Sequence, residues 1–78
     1  MSVRDFVDFL VKQIVDEEFY EIVMFEDNDN VQIKVLVDKD KVARLIGKSG
    51  RLAKSIRTIV KAAAQNSDKR YDLYIEER

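Results

Sequence analysis

Apolar residues return every three or four positions at the start of the chain, at Val3, Phe6, Val7, Leu10, Val11, Ile14 and Val15. That spacing places them on one face and predicts a helix from about 3 to 16. Ser2, with Asp5 three positions on, supplies a capping box at its start. From Phe19 to Phe25 the pattern changes to Phe-Tyr-Glu-Ile-Val-Met-Phe, rich in β-formers, and Asp27-Asn28-Asp29-Asn30 then supplies turn chemistry. Val31, Ile33, Val35 and Val37 alternate with Gln32, Lys34 and Leu36, the period of a strand with one buried face. The two runs together predict an antiparallel hairpin.

Asp38 is placed to cap a short helix from about 39 to 46, with Val42, Leu45 and Ile46 turned inward. Gly47 stops it. A second helix is predicted from about 51 to 65, where Leu52, Ile56, Ile59, Val60 and Ala63 form the apolar stripe and Arg51, Lys54, Arg57 and Lys61 fall opposite. Asn66-Ser67-Asp68 ends it, and Tyr71, Leu73 and Ile75 alternate with Asp72, Tyr74 and Glu76 in a last strand. The predicted order is α-β-β-α-α-β, an α+β arrangement.

The chain has 78 residues, which fit one compact domain spanning 1–78. A chain of this size buries only roughly 60% of its unfolded surface, so its apolar residues must be well patterned. With 46% hydrophobic and 37% charged residues, the composition favours a folded globule over a disordered segment. Cysteine and histidine are both absent, which removes disulfides, thiolate metal sites, the usual zinc ligands and the commonest general base. The start, Met1-Ser2-Val3-Arg4-Asp5, carries an acid in its first apolar stretch and lacks a small-residue cleavage pattern, which argues against a signal peptide. No apolar run approaches the ~18 residues a membrane span needs. A cytoplasmic protein with no membrane partner is expected.

The net charge of -1 conceals a segregation. Residues 1–40 hold 11 acids and 4 bases, whereas residues 41–61 hold 7 bases and no acid. A nucleic-acid footprint is a local basic surface, so an overall acidic pI does not argue against one. A basic run also serves elsewhere as an ordinary solvated helix face.

Both glycines of the chain lie in Gly47-Lys48-Ser49-Gly50, between the two helices. Glycine is selected where φ must be positive or where another molecule must approach the backbone. A tight helix-to-helix connection alone would account for a lone GxxG. Here, however, the loop carries Lys48, is flanked by Arg44 and Arg51, and feeds a helix N-terminus. Such an N-terminus offers unpaired N–H groups and a positive dipole end, which favour phosphate oxygens. The combination predicts a clamp for a sugar-phosphate backbone. Gly47-Lys48-Ser49 does not complete a P-loop: that motif needs glycine at 42, where the chain has Val42, and a strand where a helix is predicted.

Ile46-Gly47-Lys48-Ser49-Gly50, followed by Arg51-Leu52-Ala53-Lys54-Ser55-Ile56, resembles the signature of KH domains: an aliphatic residue, GxxG, then aliphatic positions along a helix. The element order resembles the type II, prokaryotic arrangement, and the resemblance is closest to the small stand-alone bacterial KH proteins of the KhpA (YlqC) type. It covers essentially the whole chain, with Leu45 to Ala64 the specific part. One departure is Ala53, where many KH domains carry isoleucine.

The resemblance implies a three-stranded sheet packed against three helices and a single-stranded RNA partner. RNA would lie in a groove between the two helices and the strand at about 31 to 37, with the loop holding about four nucleotides. Ile46 would help form the groove floor, with Val42 and Leu52 as weaker candidates whose spacing plain core packing explains better. Gly47, Lys48, Ser49 and Gly50 would hold the backbone, with Arg44, Arg51, Lys54 and Arg57 as further contacts. No aromatic residue lies between 26 and 70, which argues against an RRM-like stacking platform. The resemblance also implies an RNA chaperone that forms a homodimer or pairs with a larger KH-containing protein of the KhpB (Jag) type, with effects on cell shape and cell wall biogenesis. No cofactor is implied.

Two other function classes stand beside this one. A protein-interaction subunit with weak RNA binding would use the acid-rich first half as a charge-complementary contact. A duplex DNA reader of helix-turn-helix form would place Arg51 and Ser55 near the start of a recognition helix. An enzyme is not supported, since paired acids such as Glu17 and Glu18 have no cleft to define them.

Overall fold

The computed structural model describes all 78 residues. Helix α1 (Val3–Lys12) begins where Ser2, in an extended conformation, accepts the Asp5 N–H on its hydroxyl at 3.0 Å. It ends earlier than the apolar spacing predicts. The N–H groups of Gln13 and Ile14 turn to the carbonyls of Leu10 and Val11, so the last turn tightens. Val15 still reaches the core from beyond the helix. A single 3-10 turn at Glu17–Phe19 then removes Phe19 from the strand it was predicted to open.

Strands β1 (Tyr20–Asp27) and β2 (Asn30–Val37) pair antiparallel, from Tyr20 opposite Val37 to Asp27 opposite Asn30. The connection is therefore two residues, Asn28 and Asp29, and Asn28 takes the positive φ of 56° that asparagine tolerates. After β2 come helix α2 (Val42–Ile46), helix α3 (Arg51–Ala63) and strand β3 (Arg70–Glu77). β3 pairs parallel with β2, because the helical excursion returns the chain to the same end of the sheet. The sheet order is β1-β2-β3 with β2 central. The result is the expected α+β arrangement, a three-stranded mixed sheet packed against three helices.

β2 supplies the centre of the core: its inward residues Val31, Ile33, Val35 and Val37 are at most 2% exposed. Val7 and Val11 of α1, Leu45 of α2, and Ile56 and Val60 of α3 complete it. No helix is long and apolar enough to cross a membrane.

Two local expectations are corrected. Asp38 does not cap α2, which starts only at Val42. Its carboxylate accepts from Arg78 Nε at 2.6 Å, and its carbonyl takes the N–H groups of Lys41 and Val42 as a preceding turn. On α3 the buried face is Ala53, Ile56 and Val60, continued by Ala64, whereas Ile59 is 45% exposed and Ala63 is also exposed. The face that docks is the one whose small alanines let the helix come close to the sheet, and apolar character alone did not select it.

Candidate nucleic-acid interface

α2 closes on Gly47, whose N–H donates to the Ala43 carbonyl at 3.0 Å. Gly47 has φ 77° and ψ 176°, a combination essentially restricted to glycine. A β-carbon there would lie 2.6 Å from Leu52 Cβ and 3.0 Å from Leu52 N. Gly50 is different: it is left-handed, with φ 75° and ψ 10°, and a β-carbon on it would meet nothing within 4 Å. Ser49 between them is also left-handed, at φ 56°. The Gly50 N–H closes the turn on the Gly47 carbonyl at 3.2 Å. The sequence offered two reasons for glycine here, a positive φ and close approach to the backbone: both glycines take the positive φ, but the open space lies beside Gly50, and Gly47, which closes α2, is pressed against Leu52.

Gly50 is the N-cap of the thirteen-residue α3, and no side chain caps it. The first turn of α3 contains no acid. The Arg51 N–H is taken by the Lys48 carbonyl, but the N–H groups that follow it have no side-chain acceptor and lie at the positive end of the helix dipole.

Four bases surround this end. Arg44, Lys48, Arg51 and Lys54 are exposed, and none of them takes part in an ion pair. Arg57 and Lys61, further along α3, are engaged elsewhere. Arg57 Nε donates to the Leu73 carbonyl at 3.0 Å, and Lys61 lies 3.5 Å from the Asp72 carboxylate. Arg57 therefore straps α3 to the free edge of β3. Its position in a basic stripe gave no sign of this, because the partner is a backbone carbonyl sixteen residues away.

The aliphatic residues divide as well. Val42 and Leu52 are half-buried and packed on the core, whereas Ile46 is half-buried outside that cluster. Ala53 is 2% exposed and faces the core. The strand that flanks α2 and α3 is β3, and not the strand at 31–37. Parallel pairing places β3 at the edge and encloses β2 between two neighbours.

The loop stands on an open surface. Of the nine candidate residues only Arg44 borders one of the molecule's four depressions, a cleft of about 270 Å³ beside Ile14 and Phe19. This arrangement suits an extended anionic ligand laid across the surface better than a small molecule enclosed in a cavity.

Known proteins resemble this sequence along most of its length. The family model described as KhpA/KhpB, KH domain matches residues 4–75, from within α1 into β3. The RNA-binding protein KhpA of Listeria monocytogenes is 39% identical over 69 residues, covering 87% of this chain and 91% of that protein. The RNA-binding protein KhpA of Borreliella burgdorferi is 31% identical over 72 residues, 91% of this chain and 88% of that one. That of Aquifex aeolicus is 32% identical over 77 residues, 97% and 98% of the two chains. With a match that runs through every helix and strand and includes the glycine loop, the chain belongs to the KhpA/KhpB KH-domain family.

Proposed function

We propose that this protein binds single-stranded RNA, without chemistry on it, by holding the sugar-phosphate backbone at Gly47–Gly50 and the start of α3. The observation that carries this reading is the uncapped N-terminus of α3, with Arg44, Lys48, Arg51 and Lys54 free of ion pairs around it. Phosphate oxygens would accept from the N–H groups that follow Arg51 at the start of α3, and the open space beside Gly50 would admit them. The bases of about four nucleotides would turn toward Ile46 and the aliphatic flank. Relatives that match most of the chain carry the name RNA-binding protein, which supports the same ligand.

A grip made mainly on phosphates, through one short loop, releases readily and tolerates many sequences, which suits an RNA chaperone in the cytoplasm. One such module contacts few nucleotides. Pairing with a second copy, or with a larger KH protein of the KhpB (Jag) type, would raise the effective concentration of the second site.

The test is the double variant Lys48→Asp with Ser49→Asp, titrated with a single-stranded RNA at fixed salt. Aspartate is tolerated at the left-handed φ of Ser49, so the loop keeps its form. RNA affinity is expected to fall roughly tenfold or more as two negative charges face the phosphates. Unchanged affinity in a variant with unchanged melting temperature would overturn the clamp.

A further inference from the structure

The basic run of α3 continues beyond the loop in a definite direction. Gly50, Lys54, Arg57 and Lys61 stand four, three and four residues apart, so they lie along one line of the helix surface. The line starts at Gly50, where a β-carbon would meet nothing within 4 Å, and ends where Lys61 meets the Asp72 carboxylate of β3. It therefore leads from the phosphate grip to the free edge of the sheet. Arg57 stands roughly 10 Å along it, at 1.5 Å of rise per residue.

Two arginines each donate to a backbone carbonyl on an edge strand, and they do so with opposite ends of the guanidinium. Arg4 spends a terminal nitrogen, Nη2, on the Ile22 carbonyl at 3.0 Å, beside a depression lined by Asp5, Asp8, Glu17 and Glu21. Its fork is consumed among acids. Arg57 spends only Nε on Leu73, is exposed, and makes no ion pair. Both of its terminal nitrogens stay unpartnered. The bond through Nε fixes the plane of the group, so the fork is held ready with less rotamer freedom to lose on binding.

Such a fork needs two neighbouring acceptors with no donor between them. Among the bases of RNA, guanine offers them at O6 and N7, and cytosine at O2 and N3. Adenine sets its amino group beside N7 and N1, and uracil sets N3–H between its two carbonyls. Further along the line Lys61 is already matched by Asp72, so the surplus of positive charge that draws phosphates fades past Arg57. An uncharged base edge loses nothing by this.

We propose that Arg57 reads one base of the bound strand, presenting its free fork to the acceptor pair of a guanine or a cytosine and discriminating against adenine and uracil. This role rests on the phosphate grip at the loop. It adds a preference at one position to a grip that is otherwise indifferent to sequence.

The experiment titrates the whole protein by amide NMR, at one salt concentration, with four six-nucleotide RNAs. One is uridine throughout, and the others carry a single guanine, cytosine or adenine at the third position. The guanine RNA, the cytosine RNA or both are expected to bind roughly threefold or more tighter than the other two, a tenfold gain from one bidentate pair being diluted over the few registers a short strand allows. A gain for guanine alone assigns O6 and N7, and a gain for cytosine alone assigns O2 and N3. Arg57→Lys keeps the charge and loses the fork, so it should bring all four RNAs to the affinity of the uridine RNA and leave the salt slope unchanged. A second readout needs no variant: in the ¹⁵N-labelled protein the Arg57 Nε–H resonance should move further with the preferred RNA than with the uridine RNA. Equal binding of all four RNAs, a preference that survives Arg57→Lys, or an equal loss of affinity for all four in a variant of unchanged melting temperature would overturn the proposal. Binding of none of the four would remove the grip and the reader together, whereas equal binding would remove only the reader.

Discussion

A β-carbon on Gly47 would sit 2.6 Å from the β-carbon of Leu52, whereas one on Gly50 would touch nothing. The two glycines of the loop therefore answer to different demands, and alanine should separate them. Gly47→Ala meets both a backbone conformation reserved for glycine and a clash with the first turn of α3, and a loss of about 3 kcal/mol is expected. Gly50→Ala meets only the left-handed penalty, about 1 kcal/mol, and should fold. Its methyl group instead fills the space open to a phosphate, so RNA affinity should fall while most of the stability remains. Urea unfolding of both variants, beside RNA titration of the second, measures the contrast; a costlier Gly50→Ala would refute the division of roles.

The exposed, unpaired bases around the loop should be visible in the salt dependence of RNA binding. Each phosphate contact removed, by Arg51→Ala or Lys54→Ala, is expected to flatten the slope of log K against log salt by about 0.7. Binding titrations between low and physiological salt supply the slopes. Because neither side chain makes an ion pair in the folded protein, melting temperatures should hardly move.

Arg57 should behave in the opposite way. Its guanidinium is half-engaged with the Leu73 carbonyl, so Arg57→Met, which keeps the aliphatic stem, is expected to cost about 1–2 kcal/mol of stability. Its effect on the salt slope should be smaller than that of Arg51→Ala. A large slope change with intact stability would make Arg57 a phosphate contact first and a strap second.

Tyr20 and Asp8 give the fold a pH signature at both ends. The Tyr20 hydroxyl donates to the Asp8 carboxylate at 2.6 Å, and this bond, more than the nearby Lys12, holds the carboxyl below its ordinary range against the opposing effect of burial. The unfolded chain takes up the proton first as pH falls through about 4, so the contribution is present above that value and lost below it. Burial, and then the Asp8 contact, push the Tyr20 hydroxyl above its ordinary range. The unfolded chain ionises first near pH 10, so stability also declines as pH climbs past that point. Tyr20→Phe should cost about 1 kcal/mol at neutral pH and flatten both declines. Denaturant midpoints measured across the pH range test this directly.

Much of the architecture was legible because it depends on near neighbours in the chain. The serine cap of α1 needs only Ser2 and an N–H three residues on, and the hairpin needs only two β-rich runs and an asparagine that accepts positive φ. Gly47-Lys48-Ser49-Gly50 could be located for the same reason. Its demand on φ is local, and the bases around it follow in sequence.

What escaped the sequence involved partners far along the chain. Asp38 looked like a helix cap until Arg78, forty residues on, took its carboxylate. Ile59 fitted the apolar stripe, but the alanines at 53 and 64 decided which side of α3 met the sheet. The identity of the strand beside the helices, the binding of Arg57 to Leu73, and the pressing of Leu52 on Gly47 belong to the same class. Periodicity and backbone preference act within a turn or two, and so the sequence by itself determined the elements, their order and the basic glycine loop. Which faces dock, which strand lies at the edge and which charges stay free depend on long-range pairing and close packing, and only the tertiary structure decided them.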